Sequence, residues 1–368
     1  MVLQRLYLLR TGLESIISRK TVRSTVGHIS VSPARYRFYS TQKPRQKFDS
    51  KVFKVSEEVE DAIRTGKPVV ALESTIYTHG YPPEQNGDLA VLLEDVLREN
   101  GVVPATIAVV DGAARVGLST AELRRLASVA GKPEAMKVSR RDLPYIIGLG
   151  LAGRPFQGGT TISGSMVLAQ MAGIEILGTG GLGGVHRGGQ DTMDISADLT
   201  ELGRTNVTVI SSGCKSFLDL PRTLEYLETQ GVCVSTFADG RTENDIDIPS
   251  FYCRNSGIRS PTVIQDETEA AGIIYAQRQL GLSSGIFFAN PIPASHSIPQ
   301  SELEDVIDTA VQEATEQGYH GASNTPFVLA KIKERTGKVI LANKAMLERN
   351  ITRAAKVSVE LSQIAGKR

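Results

Sequence analysis

Apolar and polar positions alternate in blocks from residue 50 onward, and the blocks switch between two periods. Short apolar runs ending in polar residues read as buried strands: "KPVVALES", "PATIAVVDG", "IEILGTGG", "NVTVISSG", "VCVSTFA" and "SGIFFANPIP". Between them lie stretches whose apolar residues recur three and four apart, the pattern of amphipathic helices. "NGDLAVLLEDVLRENG" is one, closed by Gly101; "LSTAELRRLASVAG" is another, with Ser119 or Thr120 at its cap. "FLDLPRTLEYLETQG" and "DETEAAGIIYAQRQLG" share the pattern, and three helical segments follow at 300–318, 325–336 and 341–364. "GTTISGSMVLAQMAG" is expected as a helix opened by a glycine-rich turn, and "DGRTENDIDIPSFYCRNSG" as a long surface excursion.

Strands alternating with helices predict an α/β fold. The expected form is a three-layer α/β/α single domain over residues 47–368 with a largely parallel central sheet. In such sheets ligands sit beyond the carboxyl ends of the strands. Polar clusters fall at those ends: Glu73 and His79 after the first strand, His186 and Arg187 in "TGGLGGVHRGG", Lys215 in "ISSGCK", Asn290 in "ANPIP".

Composition narrows the classes. Hydrophobic residues make up 41% of the 368 and the net charge is +1, so bulk charge argues for neither nucleic acid nor a membrane surface. No apolar run is long enough for a spanning helix. Three cysteines without CxxC spacing suggest free thiols rather than a disulfide frame or a zinc knuckle. The first 46 residues differ from the rest. They hold nine Lys or Arg and one acid, Glu14, and are rich in Ser and Thr. That composition is expected of an organelle transit peptide, with "RFYS" as its processing site and the mitochondrial matrix as its address; cytoplasmic or peroxisomal locations are the alternatives.

The clusters differ in the chemistry they offer. A carboxylate at a buried strand end, as at Glu73, has a raised pKa suited to proton transfer, or is satisfied by nearby amides; the segment leaves both open. Lys215 follows an apolar run, where desolvation makes an amine nucleophilic and fit for Schiff-base chemistry. Lys137, Arg140 and Arg141 in "MKVSRRDLP" stand beside a helix start and suit a phosphate, with one or two expected to pair with acids instead. "GGTTISG" can cradle a phosphate or a uracil edge, or simply pack a helix tightly on the sheet. "GTGGLGGVHRGGQDTMDISAD" supplies Asp191, Asp194 and Asp198 as hard oxygen ligands for Mg²⁺ or Mn²⁺, and His186 as an acid, a base or a loop anchor.

Taken together, "ALESTIYTHGYPPEQN", "KVSRRDLP", "GGTTISGSMVLAQMAGI", "TGGLGGVHRG", "DISADL", "SGCKSFLD", "ANPIP" and "TPFVLAKIKERTG" resemble the pseudouridine-5′-phosphate glycosidases, the indigoidine synthase A-like family. The resemblance covers residues 50–365. It implies reversible cleavage of pseudouridine 5′-phosphate to uracil and ribose 5-phosphate, a homotrimer and a divalent metal, Mn²⁺. It also implies roles: Glu73 as proton donor, Lys215 as nucleophile, His186 as a site residue and Asp194 as metal ligand. Substrate contacts are implied at Lys137, Ile162, Ser196, Ala197, Asp198 and Asn343. "TTISGSM" and the Lys344 of "LANKAMLERN" depart from the family pattern, which bears on the pocket wall near Ile162 and on Asn343. The substrate's base is joined to ribose by a carbon–carbon bond. The expected solution is an imine on Lys215, with Glu73 moving the protons.

Overall fold

The computed structural model describes residues 48–80, 83–242, 246–335 and 337–366; the expected transit segment, 1–46, lies outside them. In chain order the first half runs β1 (Phe53–Val55), α1 (Glu57–Thr65), β2 (Val69–Leu72), α2 (Pro83–Glu99), β3 (Val103–Val110), β4 (Ala113–Val116), α3 (Thr120–Ser128), β5 (Ala135–Val138), α4 (Leu143–Leu151), β6 (Gln157–Thr160), α5 (Ile162–Ala172) and β7 (Ile176–Gly178). The second half runs β8 (Val185–His186), α6 (Gly189–Thr192), α7 (Ala197–Leu202), β9 (Thr208–Ser211), β10 (Leu218–Asp219), α8 (Leu220–Thr229), β11 (Cys233–Phe237), β12 (Thr262–Ile264), α9 (Glu267–Leu280), β13 (Ile286–Ala289), α10 (Gln300–Glu316), α11 (Asn324–Arg335) and α12 (Lys338–Gly366).

Local chemistry sets many of these bounds. Of the two candidate caps, Ser119 opens α3, in a capping box with Glu122. Thr161 caps α5 and Gly173 closes it in the left-handed region, the arrangement that suits a helix stop. Asp266 and Gly281 do the same for α9.

The sheet has 11 strands in the order β1-β4-β3-β2-β7-β9-β13-β11-β12, with β6 on β3 and β5 on β6. From β3 to β12 all neighbours are parallel. Strand β3 is where the sheet branches. Its first half, Val103–Thr106, pairs with β2; its second half runs antiparallel to both β4 and β6. Helices α2, α9 and α12 pack together, with α12 lying on β2, β7 and β9. Helix α5 packs on β2, β3 and β7, with α7 and α8 beside it. The central strands β2, β9 and β13 are buried along their whole length, which explains their unbroken apolar runs. The three-layer α/β expectation holds.

Two segments depart from the sequence reading. Gln157–Thr160 is a strand, not a turn. Its glycines serve close packing: a methyl at Gly159 would lie 2.0 Å from the Thr78 hydroxyl. The expected surface excursion folds inward, burying Ile246, Ile248, Phe251, Tyr252 and Cys253. Its polar composition concealed an apolar set spaced irregularly, which no periodicity could reveal.

Candidate active site

One cavity opens at the carboxyl edge of the parallel sheet, and all ten residues implied as site residues line it: Glu73, Lys137, Ile162, His186, Asp194, Ser196, Ala197, Asp198, Lys215 and Asn343. The sheet branch makes this possible. Glu73 follows β2, while Lys137 lies on β5, at the far end of the branch. Ser74 donates to the Ile107 carbonyl and Thr75 to the Gly159 carbonyl, which fastens the end of β2 to β3 and β6. Lys137 is paired in register with Gly159 and so comes to the same rim.

Lys215 is placed by three short segments zipped side by side. Its N–H donates to the Leu182 carbonyl, and the Leu182 N–H donates to Gly213. Phe251 N–H donates to Ser212 on the other side. Gly213 has φ +77°, and a methyl there would sit 1.7 Å from the Pro249 carbonyl oxygen, so only glycine fits. The neighbouring Cys214 thiol is buried, and its pKa is pushed up to about 12.

Burial lifts the Glu73 carboxyl to about 7, a rise that Lys215, a hydrogen bond from Thr179 and Lys137 partly offset and Asp198 reinforces. Thr179 Oγ1 donates that bond to Glu73 Oε1. Burial also lowers Lys137, with the charges of Lys215 and Arg141 acting in the same direction. His186 is lowered by burial and by Lys215 and Lys137, against Asp194, which favours its cation. Its Nδ1 stands 3.9 Å from Asp194 Oδ2 and its ring leans on Phe217. His79 also lines the cavity, its Nδ1 paired with Thr78 Oγ1 at 2.8 Å.

The three aspartates of the glycine-rich stretch do not converge. Asp191 is exposed and outside the cavity wall. Asp198 reaches the cavity, but both its oxygens accept backbone N–H groups, from Ser163 at 3.0 Å and Gly183 at 3.1 Å. Asp194 accepts from Gly321 N–H at 3.2 Å. Among the described residues no group of three His, Cys, Asp or Glu side chains forms a metal cage. The donor set therefore suits only a hard cation that keeps most of its water and takes one carboxylate. The first part of the glycine-rich stretch, Thr179–Val185, is buried and forms part of the cavity wall.

Of the basic trio, Lys137 and Arg141 line the cavity, while Arg140 forms a bidentate pair with the buried Glu201. Asn290 is fully buried and bonds to Asn350, away from the cavity. Sequence reasoning missed Thr179, which bonds Glu73, and Phe251 and Tyr252 of the wall, and the cover formed by Thr325, Pro326, Leu329 and Lys333 of α11 with Ile340 of α12. Thr179 had a usable signal, a hydroxyl among glycines at a strand's carboxyl end; the α11 residues look like any amphipathic helix.

The model of the family described as "Indigoidine synthase A like protein" matches residues 58–360. The chain belongs to this family. A relative from Caldanaerobacter subterraneus subsp. tengcongensis named pseudouridine-5′-phosphate glycosidase is 46% identical over 311 residues, 84% of this chain and 97% of that protein. One of the same name from Escherichia coli (strain K12) is 41% identical over 321 residues, 87% and 99% of the two chains. Two solved structures share the fold. The prealnumycin C-glycosynthase AlnA, solved in complex with ribulose 5-phosphate, gives a TM-score of 0.75 at 33% identity and covers 87% of this chain and all of its own. An indigoidine synthase A-like protein from Thermotoga maritima gives 0.75 at 31% identity with the same coverage.

Proposed function

We propose that this protein cleaves the C-glycosidic bond of pseudouridine 5′-phosphate, reversibly, giving uracil and ribose 5-phosphate. The observation that carries the reading is the convergence of Glu73, Lys137 and Lys215 on one cavity in a chain whose relatives bear that activity's name.

The leaving carbon dictates the mechanism. Glu73, protonated near neutrality, gives its proton to the ring oxygen as the Lys215 amine attacks C1′, breaking the C1′–O4′ bond. The amine's lost proton is passed to the uracil carbon through Glu73. The C1′–C5 bond then breaks, its electron pair remaining on uracil and the nitrogen lone pair forming the imine. Water adds to the imine and expels Lys215, releasing ribose 5-phosphate. Lys137 and Arg141 bind the 5′-phosphate and fix the sugar over the amine. His186, held neutral, is positioned to relay protons beside Lys215. Ser196, Ala197, Ile162 and Asn343 supply the remaining walls. Asp194 would hold Mn²⁺, or Mg²⁺, through one carboxylate oxygen. When bound, the ion would supply positive charge and ordered water.

Purified protein incubated with pseudouridine 5′-phosphate, with and without Mn²⁺, is expected to release uracil, read by absorbance. Borohydride added during turnover is expected to leave a pentose-phosphate adduct on Lys215. A clean Lys215 peptide from an active enzyme would reject the imine. The ribulose 5-phosphate held by AlnA supports a second reading, a related lysine-dependent enzyme that joins a pentose phosphate to another carbon acceptor. Absence of uracil release together with a borohydride-trapped pentose phosphate would favour it.

The same reading includes a homotrimer and a role in pseudouridine breakdown. Tyr145 and Leu151 on α4 are exposed apolar surface that an assembly would cover; the mass in solution, read by light scattering, tests the trimer. Residues 1–46 are read as a mitochondrial address, on composition alone; their fusion to a fluorescent protein tests it against cytoplasmic or peroxisomal placement.

A further inference from the structure

Helix α12 carries one fully buried asparagine, Asn350, behind the cavity. Its Nδ2 donates to the Thr179 carbonyl at 2.8 Å and the Gly180 carbonyl at 3.1 Å. Its Oδ1 accepts from Ser212 Oγ at 3.1 Å and Asn290 Nδ2 at 3.0 Å. One side chain thus ties together the residues just past β7, β9 and β13. The helix sits close enough that a methyl at Gly180 would lie 3.2 Å from both Leu347 and Met346. A leucine would fill such a site but would leave the buried Thr179 carbonyl and Asn290 Nδ2 without this partner. A buried amide there is tolerable only because all its bonds are made.

Thr179 is the residue this arrangement fixes. Its N–H donates to the Ile210 carbonyl at 3.0 Å, and Asn350 holds its own carbonyl. Its hydroxyl donates to Glu73 Oε1. With the backbone held at both ends, the Cα–Cβ direction is fixed, and one staggered rotamer carries the hydroxyl onto Glu73.

We propose that Asn350 is a positioning residue for the site: by holding the Thr179 and Gly180 carbonyls it aims the Thr179 hydroxyl at the Glu73 carboxylate. The inference rests on reading Glu73 as the proton-transfer group. Lys215, Lys137 and Asp198 also act on Glu73, and Tyr77 is buried beside it; none of them is held by Asn350. Loss of the Thr179 bond raises the proton affinity of Glu73 about tenfold, the size of one hydrogen bond to a charged group.

The test is difference infrared titration of the full chain, with the Glu73 band assigned by its absence in Glu73→Gln. Thr179→Val and Asn350→Ala are each expected to raise the Glu73 midpoint about tenfold in proton affinity. The double variant is expected to go no further than either. Asn350→Ser, which keeps one donor, is the gentler variant and is expected to shift the midpoint in the same direction by less. Folded Asn350 variants with the wild-type midpoint, or additive shifts in the double variant, would overturn the proposal; if Asn350→Ala does not fold, Asn350→Ser decides. Uracil release by the wild type is measured separately. Its failure overturns the proposed reaction, while the infrared titration, which needs no substrate, still decides the role of Asn350.

Discussion

The strand ends and the C-terminal helices face each other across the cavity, and they are built differently. Glu73, Lys137 and Lys215 stand on segments locked by buried backbone bonds to neighbouring strands. On the cover side, Gly321 just before α11 donates to Asp194, Asp308 of α10 pairs with Arg187 through side chains about half exposed, and α11 packs on residues 76–80. Exposed pairs contribute little, about 0–1 kcal/mol. Under the proposed reaction, the groups that form and break bonds sit on the locked strand ends, and the exposed ion pair lies on the side that admits the substrate.

Substitutions can break or sharpen this contrast. Lys215→Ala has the largest expected effect, a loss of uracil release on the order of 10⁴-fold with unchanged circular dichroism; retention of most of the rate would remove the lysine from the chemistry. Glu73→Gln is expected to lower kcat about 10²–10⁴-fold. Because Glu73 gives its proton first, wild-type kcat is expected to fall as pH rises through about 7, and a flat profile there would reassign the donor. Stability carries a matching sign. Unfolded glutamate ionises above its ordinary value while native Glu73 stays protonated to about 7, so its burial costs stability progressively as pH rises between the two. Glu73→Gln is therefore expected to stabilise the fold more at pH 8 than at pH 5, read by thermal melts. Lys137→Ala is expected to reduce kcat/KM about 10–100-fold, the worth of one or two charge-assisted bonds to phosphate. Truncated substrate without the phosphate should lose nothing further from this change. Arg187→Ala, on the weakly held side, is expected to change KM about twofold and Tm hardly at all. A large loss there would show the cover to be as rigid as the strand ends.

Much of this site was legible in the chain. Glu73 directly follows the apolar run of β2, and Lys215 stands a short turn beyond that of β9, so both read as strand-end residues. Lys137, Arg140 and Arg141 show the limit. They are neighbours in sequence and carry the same charge, yet Arg140 faces the buried Glu201 on α7 while Lys137 and Arg141 face the cavity. The aspartates of the glycine-rich stretch make the same point, since only the fold gives both Asp198 oxygens to backbone N–H groups.

The sequence by itself determined the layered α/β fold, the strand ends that bear chemistry and the kinship to one family, because periodicity and short motifs are local properties. The tertiary structure alone decided which acids and bases face the cavity, that "DIPSFYC" turns inward to form a wall, and that α11 covers the site. Those outcomes depend on which buried polar groups find partners across more than a hundred residues, as Thr179 finds Glu73 and Asn350 finds Thr179.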